Sequence, residues 1–448
     1  MSSASADLFA PLFADPDVLE QLSDRARLQA MLDVEAALAE VQAEIGIIPR
    51  DAAVHIRGAA RADLFDLNTI AVETATDGVP TIPLVRHLTK VVQGSDRDAA
   101  RYVHWGATSQ DIFDTALVLQ LRRAVPPLLA HLDRAAAAAA NHARRYAGTP
   151  MAGRTWLQQA TPVTFGLKAA GWLDAIARQR NALASALEDV RVLQFGGAAG
   201  TLAALAPHGI AVTERLADRL GLAAPDLPWH AHRDRLARFA AALGVTCGVL
   251  GKIGRDVSLL AQTEVGEAVE GKGGGSSAMP QKQNPVAASV ALAAAVRAPG
   301  LVATILAAMP QEHERGLGGW QAEWVTMPEL VLLTAGASRA VAGLLEGLVV
   351  HEDRMGENLH ATHGLIASES IAMALAVHVG RAEAHRMVEQ AARHVRNHGG
   401  TLADALAADP DVTRYLMRAD IDRHLTPEHY VGAARELVER ALRGSKTM

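Results

Sequence analysis

The sequence predicts an all-α protein of three domains built around a central bundle of long helices. Three observations carry this. Alanine and leucine dominate a chain that is 50% apolar but only 4% aromatic, a composition suited to close helix packing and poor in strand formers. Leu236, Leu243, Leu250 and Val257 recur every seven residues, as do Phe239, Thr246, Ile253 and Leu260, in a proline-free stretch from Asp234 to about Glu270. The chain also has 448 residues, more than one hydrophobic core usually organises.

Taken in order, Arg27 to Ile45 carries apolar residues at Leu28, Met31, Leu38, Val41 and Ile45, a helical spacing closed by Gly46 and Pro49. Pro80, Pro83 and Gly94 punctuate a less regular stretch after it. The first domain is therefore set at 1–110, a small helical one. The central domain, 111–352, takes long helices over Asp114 to Ala147 (kinked at Pro126-Pro127), Phe165 to Val192, Asp234 to Glu270, Val286 to Ala308 and Met327 to Val350. Gly244, Gly248 and Gly251 fall at helical spacing on the third of these and predict close approach of a neighbouring helix. Gly364, Gly399-Gly400 and Pro410 break the remainder, 353–448, into shorter helices. Helices so long and apolar predict burial against further copies of the chain.

Net charge is −6, with no basic run longer than a pair, which argues against nucleic acid as a partner. The one cysteine, Cys247, supports no intrachain disulfide, and a reducing compartment is the default. The first residues lack the basic start and apolar run of a secretory signal. Val286 to Pro310, the most apolar stretch, is interrupted by Arg297 and Pro299 and reads as short of a membrane span. The expectation is a cytoplasmic protein with no membrane partner.

Four polar segments depart from the helical pattern. Gly271 to Pro285 holds four glycines in five residues, then Ser276, Ser277, Met279, Lys282 and Asn284, with Pro280 and Pro285 stiffening its second half. Read alone, it is more often a plain connector. Gly266, Gly271 and Lys272 match a phosphate-binding loop, but Gly273 stands where Ser or Thr is needed, and Glu267 and Glu270 lie inside. The second segment is His104 to Thr115, where Thr108 and Ser109 mark a helix start whose free N–H groups favour an anion. The third, Gly153 to Thr164, reads as polar residues opening a helix and includes Arg154, Trp156 and Gln158. The fourth is Pro310 to Arg315, where Arg315 is suited to a carboxylate. Metal readings are weak: His230-x-His232 and His360-x-x-His363 lack a third ligand, and neither HExxH nor G-x-S-x-G occurs.

Together and in this order, the segments resemble the fumarase/aspartase superfamily. Gly275 to Asn284 meets its signature in full, and His104 to Thr115 and Gly153 to Thr164 match two further shared regions. The similarity covers most of the chain and implies a fumarase/aspartase-like fold with long helices pooled in a homotetramer, each site drawing on several subunits. No metal or organic cofactor is implied. One departure selects a branch. Nitrogen-eliminating members carry a histidine after Thr155, whereas this chain has Trp156, whose indole has no proton to transfer near neutral pH. Gly153 to Gln158, Leu193 to Ala198, Trp229-His230 with Arg233 to Leu236, and Met309 to Arg315 are similar to the lactone-forming branch.

That resemblance implies a cycloisomerase of the β-ketoadipate pathway, acting on a small polycarboxylate, a carboxylated cis,cis-muconate. One carboxylate adds across a double bond of its own molecule while a proton reaches the carbon alpha to another carboxylate. The leaving group in reverse is a weak base, so no strong acid is needed there. Family comparison gives Ser276 the carbon proton, with Lys282 and backbone N–H groups stabilising its alkoxide. His104 is the third catalytic candidate, binding or moving a proton. Thr108, Ser109, Arg154, Trp156, Gln158, Ser277, Met279, Asn284 and Arg315 are the substrate-binding candidates. The alternatives are a fumarate-releasing lyase of the adenylosuccinate type and a non-catalytic helical scaffold.

Overall fold

A computed structural model describes residues 3–444, and α-helix dominates them. The N-terminal reading is met: α1 (Asp24–Ile45) starts where Ser23 accepts the Ala26 N–H at 3.2 Å and stops at Gly46, whose φ of 86° suits a residue without Cβ. Leu28, Met31, Leu38 and Val41 are all buried. Five long helices follow: α2 (Ser109–Arg145), α3 (Phe165–Val190), α4 (Asp234–Leu260), α5 (Val286–Ala307) and α6 (Gly319–Glu346). Both heptad rows of α4 are buried, from Leu236 at 1% exposed to Leu260 at 4%, as the repeat predicts.

Three expectations need correction. The third long helix ends at Leu260 rather than near Glu270, and a short strand β3 (Ala268–Glu270) follows. Extending the repeat would place Glu264 and Glu267 at buried apolar positions. Instead the chain turns at Gly266, φ 63°, and β3 pairs antiparallel with β4 (Leu348–Val350). Gly153 to Thr164 forms no helix start but a hairpin of β1 (Pro150–Thr155) and β2 (Gln158–Thr164), where Pro150, Pro162 and the β-branched Thr155, Thr161, Val163 and Thr164 disfavour helix. Close helix approach holds at Gly244, where an added Cβ would lie 2.6 Å from Val302, but Gly248 meets nothing within 4 Å. Gly254, not singled out by spacing, would meet the Ala288 carbonyl at 2.9 Å.

Residues of the chain gather into two compact units. The first takes the stretch ending at His131, then Gln179–Leu250 and Ala293–Arg339; the second takes Leu132–Arg178, Gly251–Leu292 and the chain from Ala340 onward. Within the first, α1 packs on the helices Arg50–Ala59 and Gly209–Leu220. Its polar centre is Arg233, fully buried, whose guanidinium meets Asp114 at 2.6 Å and Glu323 at 3.0 Å and lies 5.0 Å from the Trp229 ring centre. Within the second, the C-terminal helices close a core of Ile371, Leu375, Leu402, Leu406 and Ile421.

Length and composition bring α4, α5 and α6 into the membrane-spanning range, which corrects the reading of Val286 to Pro310 as too short and interrupted: Pro299 lies inside a continuous helix. Within their most apolar windows, 56% of α4 and 72% of α6 are buried by the protein itself, but only 28% of α5.

Candidate active site

The sequence-derived site residues fall into two groups, one in each unit. In the first unit are His104, Thr108, Ser109 and Arg315. His104 holds a φ of 58°, a backbone region costly for a residue with Cβ. Its Nδ1 lies 2.6 Å from Oε1 of Glu35, a carboxylate only 1% exposed, whose Oε2 has no hydrogen-bond partner. Burial works against the imidazolium, but the Glu35 charge and hydrogen bond, with Asp111 beyond, outweigh it and hold His104 above its ordinary pKa. Glu35 went unrecognised in the sequence. Its signal was an acid between Met31 and Leu38 on the buried face of a helix.

Thr108 and Ser109 lie where α2 begins, as the capping pattern predicts. Asp111 returns to accept the Thr108 N–H at 3.0 Å. The same carboxylate, fully buried, accepts from the Gly196 and Gly197 N–H groups, both at 2.9 Å, and meets His230 Nε2 at 2.7 Å. Asp114 is likewise committed, to Arg233 and to Trp320 Nε1 at 2.9 Å. Both motif acids therefore hold the scaffold around His104. Arg315 donates from Nε to Gln110 Oε1 and from Nη2 to the Ala198 carbonyl, each at 3.1 Å. Both acceptors are neutral, so its charge has no anionic partner among the described residues, and its remaining N–H groups suit a carboxylate.

The second unit holds Arg154, Trp156, Gln158 and the signature loop. Thr155 pairs with Gln158 across the hairpin, and Trp156 and Leu157 form its tip at φ 53° and 64°. Trp156 is 95% exposed. A two-residue turn with both φ positive favours Asn-Gly, so Trp-Leu here is strained and conspicuously apolar. Gly153 sits at the bulge, where an added Cβ would lie 2.4 Å from the Thr161 carbonyl. Arg154 faces the fully buried Glu267 with two parallel hydrogen bonds of 2.8 and 2.7 Å, and Asn358 donates to the same carboxylate at 2.8 Å.

Gly275 to Asn284 is a pinned excursion. Gly274 and Asn284 exchange backbone hydrogen bonds of 2.8 and 2.7 Å, and Asn284 Nδ2 donates to the Gly275 carbonyl at 2.9 Å. Glu270 caps the start of α5 through the Ala287 and Ala288 N–H groups, at 3.1 and 2.7 Å. At its centre, Ser276 Oγ accepts the Met279 N–H at 3.1 Å and the Ala278 N–H at 3.4 Å. Two amides aimed at one hydroxyl oxygen would favour negative charge on it. The Lys282 side chain makes no hydrogen bond or ion pair among the described residues, and Ser277, Met279 and Lys282 are exposed. No group of three or more metal-ligating side chains gathers among the described residues. His230 is held by Asp111, and His360 faces Glu428 at 3.8 Å.

A family model described as lyase matches residues 13–300, and one described as the adenylosuccinate lyase C-terminus matches residues 364–441. The 3-carboxy-cis,cis-muconate cycloisomerase of Pseudomonas aeruginosa is 52% identical over 446 residues, 99% of this chain and 97% of that protein. The protein of the same name from Bradyrhizobium diazoefficiens is 48% identical, with 99% of each chain covered. Among solved structures, the 3-carboxy-cis,cis-muconate lactonizing enzyme from Pseudomonas putida matches with a TM-score of 0.93 and 46% identity, over 98% of this chain and 99% of that one.

Proposed function

The chain belongs to the lyase family of the fumarase/aspartase superfamily, and on that premise we propose that it is a cycloisomerase closing 3-carboxy-cis,cis-muconate to a carboxymuconolactone. The observation that carries this reading is Trp156 at the hairpin tip, where nitrogen-eliminating relatives place a proton-donating histidine. A carboxylate leaving group needs no such acid.

In the forward direction a carboxylate oxygen bonds to one alkene carbon, the π pair moves to its neighbour, and that carbon takes a proton. Ser276 supplies the proton from its hydroxyl, leaving an alkoxide that the Met279 and Ala278 N–H groups stabilise until water reprotonates it. In reverse the alkoxide removes the same proton. Lys282 and Asn284 on the loop serve as carboxylate-binding groups, and so do Arg315, Thr108 and Ser109, each site of the oligomer drawing on more than one copy of the chain. Glu35 raises the His104 pKa and so favours its imidazolium, whose positive charge suits a polycarboxylate.

The enzyme works as a homotetramer in the cytoplasm. Supporting self-association, the α5 window is only 28% buried and exposes Val296 and Leu306. A reducing compartment agrees with a single, buried cysteine.

The test is loss of diene absorbance when purified protein meets 3-carboxy-cis,cis-muconate without added metal or nucleotide, with the lactone identified by NMR. No loss at high enzyme concentration overturns the reading. Fumarate released from adenylosuccinate would replace it with the lyase reading.

A further inference from the structure

Beneath the hairpin tip, inside the second unit, lies a cavity of about 520 Å³. Trp156 and Leu157 stand at its rim, and Leu259, Leu260 and Val265 make an apolar wall. Three ionisable side chains also line it: Arg154, Lys168 and Asp256. Two of these are already neutralised. Arg154 is paired in two-pronged fashion with Glu267. Asp256 accepts from Trp172 Nε1 at 2.7 Å and from Lys252, one turn before it on α4. Lys168, in the first turn of α3, is half-buried and has neither a hydrogen bond nor an ion pair among the described residues. Burial pushes its ammonium below its ordinary pKa, Asp256 and Glu267 oppose this, and Lys252 and Arg154 add to it.

We propose that Lys168 is a substrate-binding residue, and that this cavity receives one carboxylate of the polycarboxylate substrate. A half-buried ammonium with no direct salt bridge, its charge only partly offset by Asp256 and Glu267, is unfavourable in the empty protein, and an incoming anion relieves that cost. Apolar walls with a single cation outside any direct ion pair fit a singly charged carboxylate on a short carbon skeleton. A phosphate dianion would need more donors than the one ammonium and Gln262 provide. Trp156 lines the recess from the hairpin tip, giving the indole a binding task in place of a proton-transfer one.

The inference rests on the proposed reaction for its substrate but not for its test. Full-length wild type, Lys168→Met and Lys168→Arg are titrated by calorimetry with propane-1,2,3-tricarboxylate, an unreactive tricarboxylate, and assayed for muconate turnover. Lys168→Met should weaken tricarboxylate binding and raise KM about 10- to 100-fold while changing kcat less than about threefold, and Lys168→Arg should recover most of the loss. Thermal melts check folding, and Lys168→Gln replaces the methionine variant if that one does not fold. Binding and KM indifferent to loss of the charge overturn the proposal. A wild type that binds tricarboxylate through Lys168 but leaves the muconate unchanged supports the site and overturns the reaction assigned to it.

Discussion

Replacing Arg233 with methionine removes the cation between Asp114 and Glu323 while keeping a long apolar stem. Asp114 retains two donors, Trp320 Nε1 at 2.9 Å and Gln110 Nε2 at 3.0 Å. Glu323 loses every side-chain hydrogen bond recorded for its carboxylate, and it is 1% exposed. Breaking a buried pair this way costs about 3–5 kcal/mol, because one charge stays behind unpaired. For a compact unit of ordinary size, that lowers the melting temperature by roughly 6–20 °C. Burial already raises the Glu323 pKa against the opposing pull of Arg233, so the variant lets it rise further. A carboxyl titrating higher in the folded than the unfolded state gains stability as pH falls. The deficit should therefore shrink as pH falls from the neutral range toward the ordinary carboxyl range. Calorimetric melts across that range test this, and Arg233→Met with Glu323→Leu should regain most of the loss. A single variant melting within about 2 °C of wild type at neutral pH would refute the reasoning, as would a deficit that widens in acid.

Ser276→Ala should lower kcat at least about 100-fold with the molecular mass on light scattering the same as wild type; near-normal turnover removes Ser276 from the carbon-proton role. Glu35→Gln should move the His104 titration, followed by NMR, to lower pH. His104 has a raised folded pKa, so its contribution to stability is full below about pH 6.5 and lost as pH rises through the folded value. The variant should lose that contribution on the acid side, and an unmoved titration would show that Glu35 does not hold the imidazolium. Gly153→Ala forces a Cβ toward the Thr161 carbonyl, 2.4 Å away, so it should disturb the hairpin and cut turnover, with a loss of about 1–3 kcal/mol on thermal unfolding. Unchanged melting and kinetics would mean that the bulge relaxes without cost.

The sequence by itself determined what depends on near neighbours along the chain. Heptad spacing located α4 and its buried rows, Gly46 closed α1, and the order of polar segments carried the family resemblance. These signals are local because helix hydrogen bonds and caps join residues within a few positions. Even the early end of α4 was legible in Glu264 and Glu267, which break the apolar repeat. Only the tertiary structure decided which charges are spent. Asp111 and Asp114 stand in a motif that reads as functional, yet they are consumed by His230, Arg233 and two glycine amides more than 80 positions away. Arg154 is matched by Glu267 across 113 positions, while Lys168 is left without a hydrogen bond or ion pair among the described residues. Coulomb attraction and desolvation follow distance and burial in space, which sequence separation does not encode. The Gly153 to Thr164 hairpin belongs to the same class: strands are completed by partners, and Trp156 owes its exposed position to that pairing.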